Sequence, residues 1–172
     1  RCVMALSPPF NPPQPVLTSP PRLQSLAWRL ALHWHWAYLT AVDLGPVWTT
    51  YPGEAALRQA ATITAISGGM YLLGGDIKIL NQVETEILFA PILRDAIQAA
   101  RPSVLEDQAV PTIWESERTL ALFNWGEEDQ LLKIPARWRS LSRPATDVFT
   151  GQEIQLGATV TVAPHDALFL VR

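Results

Sequence analysis

At 172 residues, with 48% apolar side chains and a formal net charge of -3, the chain is long enough for one medium domain or two small ones and can bury a sizeable core. The slight acidic excess and the lack of clustered Lys or Arg argue against nucleic acid or an anionic membrane as partner, and Lys78 and Lys133 are the only lysines. The single cysteine, Cys2, excludes an intramolecular disulfide and reads as a small core residue; with no membrane-length apolar run and no signal-peptide pattern, the chain reads as soluble, a cytoplasmic setting being slightly favoured.

In chain order, Arg1 leads straight into Cys2 to Leu6, an apolar run that reads as a buried strand and suggests a piece of a longer protein. Five prolines between Pro8 and Pro15 then exclude both helix and central strand. Val16-Leu17 reads as a very short strand, and Thr18-Ser19-Pro20-Pro21 as a helix start. From Leu23 to Tyr38 apolar residues recur at helical spacing. His33 and His35 fall within that helix two residues apart, on different faces, so a shared metal is disfavoured, and Trp28, Trp34 and Trp36 read as core.

Asp43-Leu44-Gly45-Pro46 predicts a turn, Val47 to Thr50 a short strand, and Tyr51-Pro52-Gly53-Glu54 the start of a second helix. That helix presents Leu57, Ala60, Ala61, Thr64 and Ala65 and stops at Gly68-Gly69, before a buried strand from Met70 to Leu73. Gly74-Gly75-Asp76 places a carboxylate just past the strand's C-terminal end, where alpha/beta folds keep ligand sites, or where it caps the next helix. A helix over Val83 to Phe89 and another beginning at Pro91 follow. From Val110 the pattern turns to short beta runs at Thr112 to Trp114, Thr119 to Trp125, Leu131 to Ile134, Thr146 to Phe149, Glu153 to Leu156, Thr159 to Val162 and Ala167 to Val171, as in an antiparallel sandwich.

Ala61-Thr62-Ile63-Thr64-Ala65-Ile66-Ser67-Gly68-Gly69 and Tyr71-Leu72-Leu73-Gly74-Gly75-Asp76 resemble the last barrel helix and eighth strand of one clan of retaining glycoside hydrolases, the alpha-galactosidases (melibiases) and raffinose-synthase-like proteins. Leu120 to Trp125 resembles the opening strand of that clan's sandwich. Asp147 to Gly151 and Pro164 to Leu170 resemble its closing hairpins. The resemblance implies an alpha/beta plus all-beta fold, the C-terminal half of a (beta/alpha)8 barrel over residues 1–105 followed by an antiparallel beta-sandwich over residues 106–172. On it, Cys2 to Leu6, Val16 to Thr18, Val47 to Thr50 and Met70 to Leu73 become the fifth to eighth strands.

Retaining hydrolysis needs two carboxylates about 5 Å apart. In the clan they follow the fourth and sixth strands, so the nucleophile is expected upstream of Arg1. The acid/base belongs to an Arg-x-Ser-x-Asp motif whose nearest match, Leu17-Thr18-Ser19-Pro20-Pro21, puts Pro21 at the carboxylate position, and no Asp or Glu occurs from Arg1 to Val42. Asp43 and Asp76 are candidates to bond sugar hydroxyls, and Trp48 and Tyr51 to stack on a sugar. His165 reads as a turn residue and Gly126 to Asp129 as a solvated hairpin tip. The functions implied are an alpha-galactosidase-like hydrolase of alpha-linked galactosides or oligosaccharides, inactive as this stretch alone; a catalytically silent carbohydrate-binding or scaffold relative; or a raffinose-synthase-like transglycosylase. Carbohydrate is the expected partner, and no metal or cofactor is expected. A half-barrel alone would expose strand edges and an apolar face, so self-association is expected.

Overall fold

The computed structural model describes residues 3–5, 20–38, 41–43, 47–48, 53–103, 110–140 and 144–172. Val3–Ala5 (β1) and Ala41–Asp43 (β2) pair in parallel, Ala5 in register with Asp43. Between them in sequence comes Pro20–His33 (α1), continued by a 3-10 turn over Trp34–Tyr38. Val47–Trp48 (β3) and Leu73–Gly74 (β4) form a second parallel pair around Gly53–Ile66 (α2). Each pair is a strand, a helix and a parallel strand, the crossover unit that parallel pairing demands.

Two strand assignments change. The partner of Val3–Ala5 is Ala41–Asp43, whose last residue was expected to open a turn, while Val16 to Thr18 and Tyr51 lie outside the described residues. The strand expected over Met70 to Leu73 is only Leu73–Gly74, with Met70 and Leu72 37% and 41% exposed. Among the described strands β4 has one neighbour, β3, so its flanking residues lack the cover that a central strand would give them.

Helix α2 is the centre of the molecule. The spacing predicts one apolar face, yet from Ala56 to Ile66 every residue but Arg58 is buried. A helix buried all round is one enclosed by other elements, and its alanines let them approach: α1 brings Leu23, Ala27, Leu30 and Ala31 to the shared core. The buried hydroxyls turn back onto the helix, Thr62 donating to the Arg58 carbonyl at 2.7 Å and Thr64 to that of Ala60 at 2.9 Å, which removes the cost of burying them. At its end Gly68 adopts a φ of +64° against Ala99, which leaves no room for a Cβ.

Gln82–Leu93 (α3) starts from a capping box: Asn81 accepts from the Glu84 amide at 2.8 Å and Glu84 from the Asn81 amide at 3.0 Å. Pro91 sits inside this helix and neither breaks it nor begins another, contrary to the sequence expectation. The chain beyond, from Ala96 to Ala100, runs instead beside the end of α2, with the Gln98 and Ala100 amides donating to the Ala65 and Ile66 carbonyls.

The remaining chain builds a six-stranded antiparallel sheet from Arg101–Pro102 (β5), Ile113–Glu115 (β6), Thr119–Phe123 (β7), Ala145–Asp147 (β9), Glu153–Ile154 (β10) and Ala167–Val171 (β12), in the order β10-β9-β12-β7-β6-β5. Gln130–Lys133 (β8) and Thr159–Val162 (β11) pair into a second sheet, and the short helix Ala136–Arg139 (α4) contributes the buried Trp138. Leu120, Leu122 and Leu170 meet Leu132, Ile134, Trp138 and Val162 of this second layer. The alternate residues Ala121, Phe123, Phe169 and Val171 pack into the core of the three long helices. Because side chains alternate across a strand, all five residues of β7 are buried, on one face or the other. The fold is the barrel-type helix and strand layer followed by an antiparallel sandwich, with one face of the large sheet shared between them.

Candidate functional site

The C-terminal ends of the parallel strands carry the residues singled out by sequence. Asp43 ends β2 opposite Ala5, and Trp48 ends β3 opposite Gly74. Asp76 follows two residues after β4. Its carboxylate accepts from the Lys78 amide at 3.0 Å and caps a single 3-10 turn over Ile77–Ile79, so it is exposed and has a local structural role beside its place at a strand end. Pro21 lies in the first turn of α1, a helix start and not a strand end.

The other singled-out residues go elsewhere. His33 and His35 make edge contacts with Trp34 and Trp36, with ring centroids 5.6 to 6.3 Å apart. Among the described residues no group of three or more His, Cys, Asp and Glu gathers for a metal. Trp36, expected in the core, is 40% exposed, because the chain leaves α1 in a tighter 3-10 turn that rotates it off the buried stripe. His165 is a turn residue, with a φ of +51°, its amide donating to the Gly126 carbonyl and its Nε2 2.9 Å from Glu127.

Two concave features were not read from sequence. A cleft of about 480 Å³ lies where α2 and α3 meet the sandwich, lined by Glu54, Arg58, Glu86, Asp147, Thr150 and Asp166 among others. Across it Arg58 donates to both oxygens of Asp166, at 2.8 and 2.7 Å, and this bonding holds the guanidinium pKa above its ordinary value against the opposing effect of burial. The second is a groove of about 670 Å³ beside the turn after β7, where Trp125 and Gly126 to Gln130 meet Gln24, Val110 and Thr112. Asn124, 1% exposed, pins that turn: its amide donates to the Glu128 and Val162 carbonyls at 2.7 and 2.9 Å, and its oxygen accepts from Gly126 at 2.9 Å. The sequence signal for it was the Asn at the strand end, a residue suited to bonding its own turn.

No family model matches the chain, and no curated protein matches it either. Among solved structures, alpha-galactosidase I from Mortierella vinacea is similar over 98% of this chain and 52% of its own, at TM-score 0.68 and 14% identity. The fold is that of about half of an alpha-galactosidase. A GH27 beta-L-arabinopyranosidase from Geobacillus stearothermophilus, in complex with arabinose, is similar over 99% of this chain and 50% of its own, at TM-score 0.70 and 15% identity. The isomalto-dextranase of Arthrobacter globiformis T6, complexed with panose, covers 75% of this chain at TM-score 0.56 and 10% identity. The chain spans about half the length of the first two. This alpha-galactosidase fold agrees with the resemblance carried by Ala61 to Asp76 and by Leu120 to Trp125. No helix among the described residues is long and apolar enough to cross a membrane.

Proposed function

We propose that the chain is the C-terminal half of an alpha-galactosidase-like retaining glycoside hydrolase acting on alpha-linked galactosides or oligosaccharides. In this reading residues 1–105 form the barrel portion, residues 106–172 the sandwich, and the nucleophile belongs to polypeptide outside this sequence. The observation that carries the reading is the likeness of 98% of the chain to about half of an alpha-galactosidase.

Only three residues separate β2 from β3, far fewer than the dozen or so of a parallel crossover. The two are best read as one interrupted strand, which makes β1 the sixth strand, β2 with β3 the seventh and β4 the eighth, with Asp43 level with the end of β1 and Trp48 at the end of the seventh. The Arg-x-Ser-x-Asp pattern then falls on Arg1-Cys2-Val3-Met4-Ala5, with Arg1 matching and Ala5 in the carboxylate's place. This replaces Pro21, and again an apolar residue stands where the acid belongs. Asp43 is in register with Ala5 on the adjacent strand, about 4.8 Å away between strand backbones. We assign to Asp43 the proton donation to the leaving oxygen, to Trp48 stacking on the sugar ring, and to Asp76 a hydroxyl contact.

The test is hydrolysis by the whole natural protein of an alkyl and an activated aryl alpha-galactoside. A phenolate leaves without protonation, whereas an alkoxide needs it, and general acid assistance contributes about 100-fold or more. Asp43→Asn is expected to lower kcat/KM on the alkyl substrate by about that factor and on the aryl substrate by less than about tenfold. Equal losses on both would remove Asp43 from the acid role. The absence of any carboxylate from Arg1 to Val42 favours, as a second reading, a silent carbohydrate-binding relative, which an inactive whole protein would support. Product analysis with an added sugar acceptor separates hydrolysis from raffinose-synthase-like transfer.

A further inference from the structure

The groove beside the turn after β7 is built around one aromatic ring held in a fixed attitude. Trp125 stacks on Phe123 with centroids 4.7 Å apart and planes 5° from parallel, and its indole N–H donates to the Pro111 carbonyl at 3.1 Å. One face and the N–H edge of the ring are therefore engaged, yet Trp125 remains part-exposed and lines the groove. The turn that lines the groove after the ring is fixed by the three bonds of Asn124 and by the Gly126 carbonyl accepting from His165. Around the ring stand Gln24, Thr112, Glu128, Asp129 and Gln130. Gln24 is anchored through its amide to the Trp125 carbonyl at 3.3 Å, while Glu128, Asp129 and Gln130 have side chains without a hydrogen bond or ion pair among the described residues.

A rigid aromatic plane bordered by uncommitted carboxylate and amide groups fits one ligand chemistry well. The plane offers an apolar face to the C–H side of a ring, and the rim offers acceptors and donors to its hydroxyls. An anion is disfavoured by Glu127, Glu128 and Asp129, and an extended apolar ligand by a lining whose apolar members are Val110 and Trp125. We propose that this groove, whose lining includes none of Asp43, Trp48 and Asp76, is a sugar-binding site on the sandwich taking a single neutral pyranose ring stacked on Trp125. The choice of galactosides as probes rests on the alpha-galactosidase reading; the groove itself does not.

The test is a titration of the whole natural protein with D-galactose and with melibiose, followed by the Trp125 indole and Gly126 to Gln130 amide resonances, with the open-chain polyol galactitol as control. A saturable shift at those resonances is expected with the pyranoses, and a response at least tenfold weaker with galactitol, which presents no ring face. Trp125→Ala is expected to abolish the shifts of the Gly126 to Gln130 amides. Because that variant also removes a stacked side chain, the surface pair Glu128→Gln with Asp129→Asn is the second arm, expected to weaken binding at least tenfold with an unchanged fold. Shifts confined to resonances outside the groove, or an undiminished response in the surface pair, would overturn the proposal. Hydrolysis by the whole protein with a silent groove would do so while leaving the glycosidase reading intact.

Discussion

Replacing Asp166 by Asn tests how much the ion pair across the cleft contributes to stability. The carboxylate accepts from Arg58 Nε and Nη2 at 2.8 and 2.7 Å and from the Ala167 amide at 2.7 Å. Asparagine keeps the shape but turns one acceptor into a donor facing the guanidinium, leaving Arg58 with Glu54, 3.5 Å away, as its other ion partner. Removing one member of a fully buried pair costs about 3–5 kcal/mol and of an exposed pair about 0–1 kcal/mol. The two side chains here are 25% and 17% exposed, so the loss falls between these limits, at about 2 kcal/mol. For a chain of this size that is a fall in Tm of about 4–8 °C. Urea unfolding of Asp166→Asn, Arg58→Gln and the double variant is the assay, and a coupling energy of about 1.5 kcal/mol is expected. A loss below about 0.5 kcal/mol for Asp166→Asn, or strict additivity in the double variant, would refute the reasoning.

Burial pushes the Tyr71 phenol well above its ordinary value near 10, and its hydroxyl donates to the Leu88 carbonyl at 2.9 Å. The fold favours the protonated form, so this contribution is full below pH ~10 and is lost above it by up to about 1.4 kcal/mol per pH unit. Tyr71→Phe should cost about 1 kcal/mol at neutral pH and flatten the alkaline fall; urea midpoints at pH 7 and between pH 9 and 11.5 decide it. Gly68→Ala should destabilise by about 3 kcal/mol, since the left-handed φ and the Ala99 backbone both oppose a Cβ; a thermal midpoint within 2 °C of the parent would contradict the packing described. Expressed alone, the chain should associate through Ile77, Ile79, Ile92 and Leu93, which are 46–76% exposed. Sedimentation of Ile79→Lys with Leu93→Glu should show the smaller species, and unchanged association would point to another surface.

The strands of the sandwich were legible because their side chains obey simple local rules. Thr119 to Trp125 and Ala167 to Val171 are short apolar runs between turn residues, and the structure returns Thr119–Phe123 and Ala167–Val171. Helix α1 announced itself by spacing, and α2 likewise, although its burial on all sides depends on neighbours that no window of sequence contains. The Pro91 rule failed because the segment after it gains more from bonding to the end of α2 than from a new helix. The Asn81 to Glu84 capping box was readable as a motif and went unread. At the site, the pairing of Ala5 with Asp43 was hidden because a three-residue strand has almost no periodicity and its partner is 38 residues away (43 − 5). Arg58 and Asp166 are 108 residues apart with no local signal to join them.

The central strands of the large sheet are covered on both faces. One strand, β7, gives Leu120 and Leu122 to the sandwich and Ala121 and Phe123 to the helices, and β12 divides Leu170 from Phe169 and Val171 in the same way. In evolutionary terms, such a wall resists recombination. A gene segment that carried the sandwich to a new host would arrive with Trp114, Phe123 and Phe169 uncovered, and a barrel that lost its sandwich would lose the floor under α2. Each part relies on the other for cover, and substitutions along β7 are constrained in alternation, Ala121 and Phe123 by the helices and Leu120 and Leu122 by the second sheet.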